Sequence, residues 1–130
     1  MLENGLRVVY HEDKSTPMVA LNVLYNVGSK DESPDKTGFA HLFEHLMFGG
    51  SANLPDFDSP IQVAGGENNA FTNNDITNFY DLLPADNIET AFWLESDRML
   101  GLNFDDKVLD VQRKVVVEEF KETCLNQPYG

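Results

Sequence analysis

A chain of 130 residues with 42% hydrophobic content is long enough for one domain with a real core, or for part of one. Its formal net charge of −13, from 22 acidic and 9 basic residues, argues against nucleic acid as a partner, because phosphate binding wants clustered Lys and Arg. The single cysteine, Cys124, excludes an internal disulfide, and no apolar run approaches the roughly 20 residues of a membrane span.

In chain order, Leu6, Val8 and Tyr10 alternate with Arg7, Val9 and His11, a strand pattern. After a turn over residues 13–17, Val19, Leu21, Val23, Tyr25 and Val27 predict a second strand, and the two are expected to pair as a hairpin. Thr37 is the expected N-cap of a helix over residues 38–48, stopped by Gly49 and Gly50. Residues 51–66, with two prolines and a Gly-Gly pair, read as irregular. Short strands over 69–72 and 77–83 flank the turn Asn73-Asn74-Asp75. Asp86 is positioned to cap a helix with Ile88, Ala91, Phe92, Glu95 and Met99 on one stripe; Phe92, Trp93 and Met99 are expected in the core. Asp105 caps a last helix running to about residue 125. The expected fold class is α+β, an antiparallel sheet with helices packed on one face. Four candidate strands make a thin sheet, and residues 1–130 are expected to form part of a longer domain.

Two of the three histidines, His41 and His45, stand four residues apart on the predicted helix. They are about 40° apart around its axis and one turn apart along it, so two imidazoles can converge on one ion. Glu44 lies on the edge of the same face, placed to reach a water on that ion rather than to bind it. Two neutral imidazoles and a nearby carboxylate suit zinc-assisted hydrolysis. A structural zinc site would want four protein ligands, mostly Cys, and the chain has one.

Catalytic zinc usually takes a third protein ligand. The last helix offers Glu118, Glu119 and Glu122. With Val108 at zero, the apolar arc is centred near about 40°, and Glu119 falls inside it at about 20°. Glu122 lies at about −40° and Glu118 at about −80°. Burying a carboxylate within an apolar arc is costly unless its charge is compensated. Glu119 is thus either a ligand or an arc carboxylate that reaches water. Gln112, at about 40°, is a candidate to hydrogen-bond a ligand. Asn69, Ala70 and Phe71 lie on a strand that can accept an extended peptide by β-augmentation.

The run Thr37-Gly38-Phe39-Ala40-His41-Leu42-Phe43-Glu44-His45-Leu46-Met47-Phe48 resembles the active-site helix of the inverzincin zinc metallopeptidases, peptidase family M16. Asn69-Ala70-Phe71-Thr72 is similar to that family's substrate-binding edge strand. Arg113-Lys114-Val115-Val116-Val117-Glu118-Glu119 resembles the helix bringing the distal zinc ligand, which the resemblance places at Glu119. Residues 126–130 resemble the stretch that follows this helix in bacterial members. The resemblance implies Zn²⁺ on His41, His45 and Glu119, Glu44 as general base, and a peptide or small protein as substrate. It also implies a second M16-type half, in the same chain or another subunit, that supplies further groups to the site. Many relatives carry a glutamate where this chain has Gln112. The family also includes non-catalytic partner subunits, which commonly lose the zinc motif that this chain keeps. The sequence leaves the compartment open; a soluble protein of the bacterial periplasm or cytoplasm is compatible with it.

Overall fold

The computed structural model describes residues 1–128. Its sheet has three antiparallel strands, β1 (Met18–Tyr25), β2 (Glu67–Thr72) and β3 (Thr77–Pro84), in the order β1-β3-β2. Four α-helices accompany it: α1 (Phe39–Phe48), α2 (Asp58–Val63), α3 (Ile88–Leu100) and α4 (Asp106–Phe120). The fold is α+β, as expected.

Strand β3 is central and is the most buried element, because it is laddered on both sides and covered by helices. Period-two alternation sets its inward row. Leu83 stands beside Val19, Asp81 between Leu21 and Asn68, Phe79 between Val23 and Ala70, and Thr77 between Tyr25 and Thr72. Phe57, Ile61, Leu83, Ala91 and Leu94 form the core, with Val19, Leu21 and Ile88 packed around them. The loop leaving β1 docks on the β2–β3 turn through Ser29 N–H to Asn73 O at 3.1 Å and Lys30 N–H to Asn74 O at 3.0 Å. Gly28 permits this approach, since a Cβ there would lie 2.5 Å from both carbonyl oxygens.

Several expectations are corrected, among them the cap of α3, which is Asn87 rather than Asp86. Residues 6–10 form no strand, and no hairpin with β1 exists; Val8, Val9 and Tyr10 are exposed. Alternation alone does not hold a ribbon that nothing covers, and the outer edge of β1 is left open beside its ladder to β3. Residues 51–66 are not wholly irregular, because α2 places Ile61 in the core. The buried face of α3 carries Ala91, Leu94, Glu95 and Arg98, whereas Phe92, Trp93 and Met99 are about half exposed. Phe92 and Met99 sit about 80–100° round the helix from Ala91, just beyond the covered arc. Helix α4 begins at the expected cap, with Val108 N–H donating to Asp105 Oδ1 at 2.7 Å, and passes into a π-helical turn at Lys121–Leu125. The last two residues of the 126–130 stretch lie outside the described residues.

The polar residues displacing those aromatics form a buried cluster. Arg98 pairs with Glu95 through Nε–H to Oε2 at 2.9 Å and a second bond from Nη2. Its guanidinium carbon lies 4.2 Å from the ring centres of both Phe57 and Phe79. A planar, weakly hydrated cation tolerates this sandwich. Asp81 is buried beside the pair, and neither of its carboxylate oxygens has a hydrogen-bond partner among the described residues. Burial, and then the Glu95 charge, push its pKa up to about 7 against the pull of Arg98.

This sets a direction for stability against pH. A carboxyl whose folded pKa exceeds its ordinary 3.8 keeps a proton on folding that the unfolded chain gives up. Its stabilising contribution is complete below about pH 4 and is lost as pH rises to about 7. Asp81→Asn should therefore raise the melting temperature more at pH 8 than at pH 5. Equal shifts at the two pH values in thermal melts would contradict this assignment.

Candidate metal centre

Helix α1 supplies most of the site, and both of its ends are anchored by distant side chains. Thr37 does not cap it. The cap position is Gly38, in the left-handed region at φ 89°, and no side chain there accepts a bond. Glu32 caps the helix from the preceding loop instead: Gly38 N–H donates to Oε2 at 2.8 Å and Ala40 N–H to Oε1 at 2.7 Å. A carboxylate there also complements the positive end of the helix. At the other end, Gly49 and Gly50 let the chain turn sharply. Asp97 of α3 then accepts from the Ser51 hydroxyl and, at 2.7 Å, from Asn53 Nδ2. These two donors hold the Asp97 carboxyl below the ordinary carboxylate range.

Helical phase brings His41 and His45 together, with their Nε2 atoms 3.2 Å apart. Helix α4 lies against α1 and presents Glu119. Its Oε2 is 3.4 Å from His41 Nε2 and 3.3 Å from His45 Nε2. Among the described residues, His41, His45 and Glu119 are the one group of three side chains arranged to hold a metal ion. The triangle can be tested against zinc. Ligands at about 2.0–2.1 Å on tetrahedral axes stand about 3.3 Å apart, so the three atoms fit. The seam of α4 turned to α1 carries the half-buried Val108, Gln112, Val116 and Glu119, close to the arc centre given by phase. Leu109, Val111, Val115 and Phe120, on the same arc or its margins, remain exposed.

Glu44 is buried on the inner side of α1, where its Oε2 accepts from the Thr72 hydroxyl of β2. A cleft of about 420 Å³ opens beside it, with His41, Glu44, His45 and Glu119 on one wall and residues 69–72 of β2 on the other. Strand β2 is an edge strand, so no strand pairs with it on the side away from β3, and its residues 69–72 line the cleft. Gln112 makes no side-chain hydrogen bond among the described residues. Sequence reasoning gives Glu32 no role, and places Thr72 on the edge strand but not against Glu44. Nothing local marks Glu32 as a cap six residues ahead of its helix. Thr72 was signalled by alternation with Ala70, which puts both side chains on the helix-covered face.

The family model described as Insulinase (Peptidase family M16) matches residues 7–128. The chain belongs to peptidase family M16. It is 36% identical to the zinc protease PqqE of Helicobacter pylori over 99% of its own length and 30% of that protein. A crystal structure of a protease from Helicobacter pylori superposes with a TM-score of 0.83 at 34% identity, covering 88% of this chain and 28% of that one. The human cytochrome b-c1 complex subunit 1 is 28% identical over 94% of this chain and 26% of its own length. The M16 chain thus spans about a third or less of the relatives it matches. No helix in the described residues is long and apolar enough to cross a membrane.

Because Glu32 satisfies two N–H groups that α1 leaves unpaired, Glu32→Ala should cost about 1–2 kcal/mol of stability. Chemical denaturation measures it, and a variant with an unchanged midpoint would remove Glu32 from this role.

Proposed function

We propose that this chain is the N-terminal active-site part of a single M16-type domain in a zinc-dependent endopeptidase. The observation that carries the reading is the triangle of His41 Nε2, His45 Nε2 and Glu119 Oε2, with edges of 3.2–3.4 Å, beside a buried glutamate and an open strand edge. His41, His45 and Glu119 would hold Zn²⁺. When bound, zinc lowers the pKa of water towards about 7 and polarises a peptide carbonyl.

The remaining steps belong to the chain. The imidazoles must be neutral to bind a metal, and Glu119 offsets the charge of the ion. Glu44 takes a proton from water on its carboxylate and returns it to the leaving amine nitrogen. Asn69, Ala70 and Phe71 lie on the free edge of β2, where an extended peptide adds as a further strand. That backbone pairing holds a peptide or small protein with little regard to side chains. Gln112, half-buried on the α4 seam, stands where its amide can steady a ligand. A second M16-type half, in the same chain or another subunit, would close over the cleft.

A second reading, a zinc-binding partner subunit without turnover, draws on the similarity to cytochrome b-c1 complex subunit 1. The presence of His41, Glu44 and His45 together weighs against it.

Metal analysis and a peptide-cleavage assay on the intact protein separate the two. Glu44→Gln should keep zinc and lose on the order of 100-fold to 10,000-fold in turnover. His45→Ala should lose both metal and activity. Zinc with no turnover in the unmutated protein would favour the partner-subunit reading, and full activity in Glu44→Gln would remove Glu44 as the base.

A further inference from the structure

The Glu44 carboxylate is not aimed by its own helix: Glu44 points from α1 towards the sheet, and the one donor to it among the described residues is the Thr72 hydroxyl of β2. A proton count fixes the direction of that bond. Thr77 lies opposite Thr72 on β3 and donates its single hydroxyl proton to Val27 O at 3.0 Å. A carbonyl can only accept, so Thr77 has no proton left for the Thr72 hydroxyl 3.3 Å away. Thr72 keeps its own proton, and of its two neighbours the carboxylate is the stronger acceptor. Val27 O is itself held in place, because Ser29 and Lys30, two and three residues further along its loop, are tied to the β2–β3 turn.

We infer that Thr72 is a positioning residue for the general base: its hydroxyl pins Glu44 Oε2 and leaves Oε1 to carry the proton. This rests on the peptidase reading above. Thr72 suits the task because a β-branched side chain on a paired strand has few rotamers. A carboxylate at the end of a glutamate side chain has several, and one fixed oxygen removes most of that freedom. The Thr72 bond survives when Oε1 is protonated, since Oε2 still has a lone pair to accept it.

The test compares Thr72→Val and Thr72→Ser in the zinc-loaded intact protein, reading zinc content, melting temperature, kcat and KM. Thr72→Val replaces a hydroxyl by a methyl of similar shape. It should keep zinc and the fold, lower kcat on the order of 10-fold to 100-fold, and leave KM nearly unchanged. Thr72→Ser should recover most of that loss. A high-resolution structure of Thr72→Val should show the Glu44 carboxylate displaced or spread over more than one rotamer. Unchanged kcat in Thr72→Val, or a loss that Ser does not recover, overturns the inference. Loss of activity in Glu44→Gln with full turnover in Thr72→Val refutes the positioning role alone, full turnover in both removes Glu44 as the base, and no turnover in the unmutated protein refutes the peptidase reading beneath it.

Discussion

The meeting of α4 with α1 is the contact on which the candidate site depends. It is a narrow seam: no residue of α4 is fully buried, and the helix touches the rest of the fold mainly along one line of side chains. That seam ends at Glu119, within 3.4 Å of two imidazole nitrogens from α1. Three lone-pair atoms this close repel one another unless they share a proton or a cation. The seam is therefore as much an electrostatic junction as an apolar one, and its chemistry explains why an amphipathic helix carries a carboxylate in the middle of its covered face.

Helix α1 must be rigid for this junction to have a fixed geometry, and its rigidity is borrowed. Glu32 holds its first turn from an upstream loop, and Asp97 holds the loop after its last turn from α3. Beneath it, Phe48 packs against Phe57 and Phe79, the rings that sandwich Arg98. The slot between Phe57 and Phe79 takes Arg98 and so orients α3 over the sheet. The buried pair that Arg98 makes with Glu95 of the same helix is a poor source of net stability. It neutralises the guanidinium in its slot, and the slot leaves α3 few ways to sit.

How much of this was legible in the residues follows from the range of each interaction. The pairing of His41 with His45 is a matter of four residues on one helix, and helical phase states it outright. Phase also picked Glu119 from three glutamates, because a face has a centre even when its partner is unknown. The errors share one cause. Alternation at residues 6–10 and the large apolar side chains of Phe92, Trp93 and Met99 mark surfaces fit to be covered, and periodicity does not say whether anything covers them. In α3 the covered arc went to Glu95 and Arg98, because two phenylalanine rings from elsewhere made a slot for a guanidinium. The capping of α1 by Glu32 and the grip of Thr72 on Glu44 join residues 6–28 apart across turns, and no local pattern encodes them.

The site divides its labour between a helix layer and a sheet. Side chains that suit a metal come from α1 and α4, where four-residue spacing stacks them. Groups that suit a peptide come from β2, where a free edge exposes backbone donors and acceptors. Glu44 belongs to the first layer by sequence and to the second by its hydrogen bond. If an extended peptide adds to the edge of β2, the strand that registers the scissile bond also carries the hydroxyl that holds the base. A shift of β2 would then move substrate and base together, so their separation would be less sensitive to flexing of the sheet than the distance of either from the metal ligands. Such coupling costs no additional parts. It needs only that Thr72 and Ala70 share the inward row, which period-two geometry supplies, while β2 keeps its place at the sheet edge, where Ala70 N–H is held by the Asn69 side chain at 2.8 Å and would exchange that bond for one to the peptide.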